Sequence, residues 1–149
     1  MLKFPLLAVS LLFAAAALAD SERFTATDPT WKAECGSCHL AYPPQLLPAA
    51  SWHAMVQGLD QHFGADASVD ANTAAKIGAF LEHNAGRGRK TSGAPTLRIT
   101  ETGWFRHEHD EVPASVWKNP KVKTPSNCAA CHTQAEQGDF SERTLRVPK

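Results

Sequence analysis

The sequence predicts a small, mainly α fold built as two halves with long irregular connections. Three observations carry that prediction. Apolar residues recur at helical spacing in three windows, whereas only one five-residue piece alternates as a strand would. A glycine- and charge-rich stretch divides the chain near its middle. Each half also holds one C-x-x-C-H unit, Cys35-Gly36-Ser37-Cys38-His39 and Cys128-Ala129-Ala130-Cys131-His132, 93 positions apart.

Residues 1–19 read as a signal peptide: a short charged start, an apolar run from Phe4 to Leu18, and Ala17-Leu18-Ala19 as a cleavage site before Asp20. The run is short for a membrane span, with an uncleaved anchor as the alternative. The expected localisation is therefore periplasmic, after export. Residues 20–85 form the N-terminal half. Its first part reads as a loop until Trp31-Lys32-Ala33-Glu34 leads into the first motif, and Tyr42-Pro43-Pro44 ends that element. Ser51 is a candidate N-cap. Trp52, Met55, Val56, Leu59, His62 and Phe63 follow at offsets 0, 3, 4, 7, 10 and 11, one face of a helix that Gly64 closes. A second helix is expected from Asp70 to Asn84, with Ile77, Phe80 and Leu81 inward.

Residues 86–95, Gly-Arg-Gly-Arg-Lys-Thr-Ser-Gly-Ala-Pro, read as a linker poor in anything that packs. Residues 96–149 form the C-terminal half. Thr96 to Thr100 alternates and reads as a short extended piece, and Thr102 caps a helix carrying Trp104, Phe105, His109, Val112 and Val116, with Pro113 limiting its regularity. Asn119 to Ser126 is a proline- and lysine-rich approach to the second motif. The tail after Gly138 reads as irregular.

Charge excludes one class of function. Without Lys3 the chain holds 14 basic and 15 acidic side chains, which is no signature of a nucleic-acid binder. The charge is polarised: residues 20–85 carry eight acids against three bases, and residues 86–149 seven acids against eleven bases. Such a dipole can orient a partner during encounter.

Four cysteines in an exported chain ordinarily suggest disulfides. Here all four belong to C-x-x-C-H units, the attachment signature of c-type haem. Two thiols three positions apart reach two vinyl groups of one porphyrin, and the adjacent histidine becomes the proximal iron ligand. A zinc ribbon would need its pairs roughly 15–20 residues apart, whereas 89 residues separate Cys38 from Cys128. The expected cofactors are two covalently bound haem c groups, on Cys35, Cys38 and His39 and on Cys128, Cys131 and His132. The fold class sharpens accordingly to a small haem-organised, cytochrome c-like fold with one haem per half.

The sixth iron ligands decide the function. Met55 is the only methionine beyond the leader, so at most one haem could be His/Met. His53, His62, His83, His107 and His109 remain. His53 and His62 are nine residues apart, about 900° on a helix, which puts them on opposite faces. His62 shares the apolar stripe and is favoured for the first haem, with His53 and Met55 as alternatives. Phe105, His109, Val112 and Val116 share a line, which favours His109 for the second haem, with His107 as the alternative. His83 reads as a surface residue at a helix C-terminus, where a positive charge is favourable.

At this point the sequence resembles the small bacterial dihaem cytochrome c family. The resemblance rests on Glu34 to Pro44, Leu47-Pro48, Ser51-Trp52, Leu59-Asp60-Gln61-His62-Phe63-Gly64-Ala65-Asp66-Ala67, Arg98-Ile99-Thr100, Trp104-Phe105, His109 and Asn127 to His132. It implies a periplasmic electron carrier with two bis-histidine haems, with iron ligands His39, His62, His109 and His132. The partners it implies are other redox proteins, such as an oxygen-binding monohaem cytochrome c or a membrane cytochrome b. No nucleic acid, no small-molecule substrate and no catalytic residue are expected, and the chain is expected to be a monomer and not an enzyme. The competing expectation is a haem peroxidase or gas-binding protein in which one haem keeps an open or labile distal position.

Overall fold

The structure, a computed structural model, describes residues 22–91 and 96–149. The leader at 1–19 and linker residues 92–95 lie outside the described residues. Five α-helices and several short 3-10 turns make up the described part, which holds isolated β-bridges but no strand. The expected mainly α class with irregular connections is what the chain adopts.

α1 spans Pro29–Cys35. Asp28 caps it by accepting the Trp31 N–H at 2.8 Å, and Pro29 opens it where a missing N–H costs nothing. α2 spans Ala49–Gln57 and is shorter than the apolar periodicity predicts. It begins before Ser51, because the Pro48 carbonyl accepts from both Ser51 and Trp52. Ser51 is therefore no cap: it lies inside the helix, buried, with its hydroxyl unpartnered. Gly58 ends α2, and a 3-10 turn at Leu59–Gln61 carries the chain on. The helix expected to run through Phe63 thus breaks at the first residue with no side chain to hold it.

α3 spans Ala71–His83 and matches its expectation. Asp70 caps it with bonds from Asn72 and Thr73, and Asn84 ends it. Trp31, Leu47, Trp52, Ile77 and Leu81 pack from these three helices and the Leu47 loop into one core. Trp52 satisfies its indole N–H on the Pro44 carbonyl at 2.7 Å.

The C-terminal half has much less of a core, with Phe105, Val122 and Ala135 its buried apolar residues. α4 spans Gly103–Glu108, capped by Thr102, whose hydroxyl accepts the Phe105 N–H at 3.0 Å. His109 ends it. α5 spans Ala114–Trp117 with Pro113 just before it. The single helix expected from Thr102 to Val116 is thus two: α4 leaves helical geometry at His109, φ −123°, and Pro113, with no N–H to continue a ladder, stands just before α5. The piece expected to be extended at 96–100 instead coils into a 3-10 turn at Ile99–Glu101, drawn in by Arg98 N–H donating to Thr96 Oγ1 at 3.2 Å.

The start of the linker and the tail read as irregular are both tied down. Gly86 donates to the Leu47 carbonyl at 2.9 Å, and any Cβ there would collide with the Gln45 carbonyl. The tail after Gly138 pairs with the first described residues: Phe24 N–H donates to Gly138 O at 2.8 Å and Phe140 N–H to Glu22 O at 2.9 Å. Arg23 and Asp139 form an ion pair at 2.7 Å, and Phe24 meets Phe140 edge to face at 5.4 Å.

Candidate functional site

The two C-x-x-C-H units are built differently. In the first, α1 ends on Cys35 and the chain turns through Gly36, whose N–H donates to Lys32 O at 3.1 Å. A Cβ at Gly36 would strike that same carbonyl, so the approach requires glycine. The second motif opens on a 3-10 turn at Cys128–Ala130, and His132 N–H donates to Cys128 O at 2.9 Å. All four thiols are free. Burial pushes the Cys35 and Cys128 thiols up to about 11 and raises Cys131 as well. A cleft of about 680 Å³ opens beside Cys38 and His39, walled in part by Phe24, Trp31 and Leu40.

Opposite each motif histidine stands a second histidine. The His39 and His62 rings lie 6.1 Å apart between centres, 21° from parallel. The His132 and His109 rings lie 6.2 Å apart at 74°. A metal–imidazole bond of about 2.0 Å, with the ring centre about 1.1 Å behind the nitrogen, separates two axial rings by about 6.2 Å. Both pairs therefore have the spacing of two imidazoles on one ion.

The ring nitrogens agree with that use. His39 Nδ1 donates to the Leu40 carbonyl at 2.7 Å, and His109 Nδ1 donates to the Phe105 carbonyl at 2.8 Å. Each bond fixes the tautomer that leaves Nε2 with its lone pair. Burial, with His39 alongside, lowers the pKa of His62. Burial, with His109 alongside, lowers that of His132, although the Phe140 carbonyl opposes the fall. Both shifts favour the neutral imidazole. The Nδ1 atoms of His62 and His132 are buried without a hydrogen-bond partner.

His62 reaches this position by a route the helical stripe does not describe. It follows the 3-10 turn and enters a tight turn in which Phe63 has φ 51° and Gly64 φ 95°. Both central residues are left-handed, the type I′ requirement, and for Phe63 that costs about 1–3 kcal/mol. Arg98 from the C-terminal half stacks over the Phe63 ring at 4.2 Å. Phe63 is 47 % exposed and meets His62 edge to face at 4.9 Å. His109 lies where α4 ends, one turn after Phe105, and the two rings stack at 4.1 Å.

The alternative ligands are engaged elsewhere. His53 is exposed and held between Glu82 at 3.0 Å and Gln57 at 2.9 Å. Met55 packs against the core. His107 is exposed beside Asp110, and His83 is exposed at the end of α3. What the sequence left unseen is Tyr42, whose ring stacks on His39 at 4.8 Å, and the tail, where His132 bridges Leu145 and Arg146 N–H donates to Cys131 O at 2.8 Å. Phe140 and Leu145, apolar residues in a mostly polar stretch after Gly138, were the available signal.

Among the described residues no three His, Cys, Asp or Glu side chains converge on one point as a bare metal ion would need. Each histidine pair fits an ion that brings its own equatorial ligands. The profile of the family described as dihaem cytochrome c matches residues 31–140. The chain belongs to the dihaem cytochrome c family.

Two solved structures bear out that membership. The chain is 44 % identical to a dihaem cytochrome c from Rhodobacter sphaeroides, covering 78 % of this chain and 99 % of that one, with a TM-score of 0.73. It is 42 % identical to a dihaem type c cytochrome from Shewanella baltica, covering 80 % and 92 %, with a TM-score of 0.72. None of the curated protein sequences compared matches it. As a dihaem cytochrome c, the chain takes two haem c groups.

Proposed function

We propose that this dihaem cytochrome c is an electron carrier whose two irons are each closed by two histidines, His39 with His62 and His132 with His109. The observation that carries the reading is the pair of ring separations, 6.1 and 6.2 Å, both at the span of one ion between two imidazoles. When bound, each haem supplies a one-electron iron couple. Everything else falls to the chain's own groups. Cys35, Cys38, Cys128 and Cys131 anchor by thioethers, and the Leu40 and Phe105 carbonyls hold His39 and His109 in the ligating tautomer. Six-coordination leaves no position for a substrate, so the protein transfers electrons and is no enzyme. Histidine in place of methionine keeps the potentials comparatively low.

The same proposal places the mature chain in the periplasm, its leader removed after Ala19, as a monomer exchanging electrons with other redox proteins. An oxygen-binding monohaem cytochrome c and a membrane cytochrome b are the partner types in view. Carbon monoxide tests the closed sites: the ferrous protein is expected to bind none promptly, and stoichiometric binding at one haem would make that haem a peroxidase or gas-binding centre. Fractionation of expressing cells, with the mature N-terminus at Asp20, checks the export.

A further inference from the structure

Tyr42 is the chain's single tyrosine, and it stands between the two centres. Its ring lies against His39 with centres 4.8 Å apart and planes 24° from parallel. Its hydroxyl donates at 2.7 Å to the backbone carbonyl of Ser126, 84 residues along the chain. That carbonyl also accepts the backbone N–H of Cys128 at 3.0 Å, and Cys128 Sγ lies 3.6 Å from it. An unbroken path of one ring stack and two hydrogen bonds therefore joins the proximal histidine of the first site to an anchoring cysteine of the second. The ring is itself held in place. It packs against the core of α1, α2 and α3, and it precedes buried Pro43 and Pro44, whose fixed φ removes backbone freedom at that point.

We propose that Tyr42 is the positioning residue that couples the two haem centres. Its ring sets the surroundings of His39, and its hydroxyl clamps the Ser126–Cys128 segment at a fixed distance from that ring. Electron exchange falls steeply with separation, so a clamp acting between one iron ligand and the other site's anchor governs the rate between the two centres. The inference rests on the bis-histidine reading, since it takes His39 as an axial ligand. A mere tether between halves would change stability and leave rate and potentials alone.

The test uses the full dihaem chain with Tyr42→Phe, which keeps the stack and deletes the hydroxyl, and Tyr42→Leu, which removes both. Wild-type optical and EPR spectra come first. The readouts are then the two potentials, by optical titration, and the rate at which an electron placed on one haem by flash photoreduction equilibrates with the other. Tyr42→Phe is expected to slow equilibration several-fold at an unchanged first-haem potential. Tyr42→Leu is expected to slow it at least as much and also to move that potential. Unchanged equilibration in both variants, with low-spin spectra retained, overturns the proposal and leaves the ligation reading standing. A high-spin first haem in the wild type overturns both. Should the variants fail to take up two haems, biosynthetic 3-fluorotyrosine labels this position alone. Its ¹⁹F resonance is expected to move at both reduction steps, and movement at only one overturns the proposal.

Discussion

The His109 ring stacks on Phe105 at 4.1 Å and donates its Nδ1 proton to the carbonyl of that same residue at 2.8 Å. One buried residue, a turn earlier in the chain, therefore fixes both the tilt and the tautomer of the His109 ring. Trp117 flanks both rings, 5.9 Å from His109 and 6.3 Å from Phe105 between centres. Phe105→Ala is expected to cost about 3–5 kcal/mol and to disturb the spectrum of the second haem only. Phe105→Leu fills more of the space and is expected to cost less while still loosening the ring. Denaturant melts and low-temperature spectra of both variants check this.

The two pairs differ in mutual ring angle, 21° at the first site and 74° at the second. Near-parallel axial rings split the iron dπ orbitals strongly, and near-perpendicular rings leave them close in energy. The ferric protein is expected to give two distinct low-spin EPR signals, the second with its largest g value displaced to lower field. Two superimposed signals would count against the angles.

His53 and His107 serve as controls. The His53–Glu82 contact is exposed, and exposed contacts of this kind are worth about 0–1 kcal/mol even when both groups are charged. His53→Ala and His107→Ala are expected to leave both haem spectra unchanged and stability nearly so. Loss of a low-spin signal in either variant would reassign a ligand.

Acid is expected to free the tail. Hydrogen bonding from Ser141, whose backbone N–H reaches Asp139 at 2.9 Å, holds the Asp139 carboxyl below its ordinary range; burial opposes this, and Arg23 and Arg143 add to it. A depressed folded value stabilises above the unfolded value of about 3.9 and is lost as pH falls through the folded one. Thermal melts are expected to show stability dropping below about pH 4. Asp139→Asn is expected to lower the melting temperature at neutral pH and to flatten the acid limb.

The motifs and α3 were legible in the sequence because each depends on residues close in the chain: two thiols and a histidine in a row, or Asp70 capping the helix that Ile77 and Leu81 bury. The Gly58 and Pro113 breaks were less visible, since apolar spacing continues across both. His62 shows the difference. The stripe pointed to it through a helix that ends at Gln57, and it stands opposite His39 by way of a turn that strains Phe63. Tyr42 with Ser126, Gly86 with Gln45, and Phe24 with Gly138 are contacts across long chain separations. No local pattern encodes them.

The closing of both irons by His62 and His109 is tested most directly by low-temperature EPR and optical spectra of the ferric full chain beside His62→Ala and His109→Ala. Wild type is expected to be wholly low-spin. Each variant is expected to turn one haem high-spin, and in the ferrous form able to bind carbon monoxide, while the other haem is unchanged. A high-spin haem in wild type, or a variant that stays fully low-spin, would contradict the account.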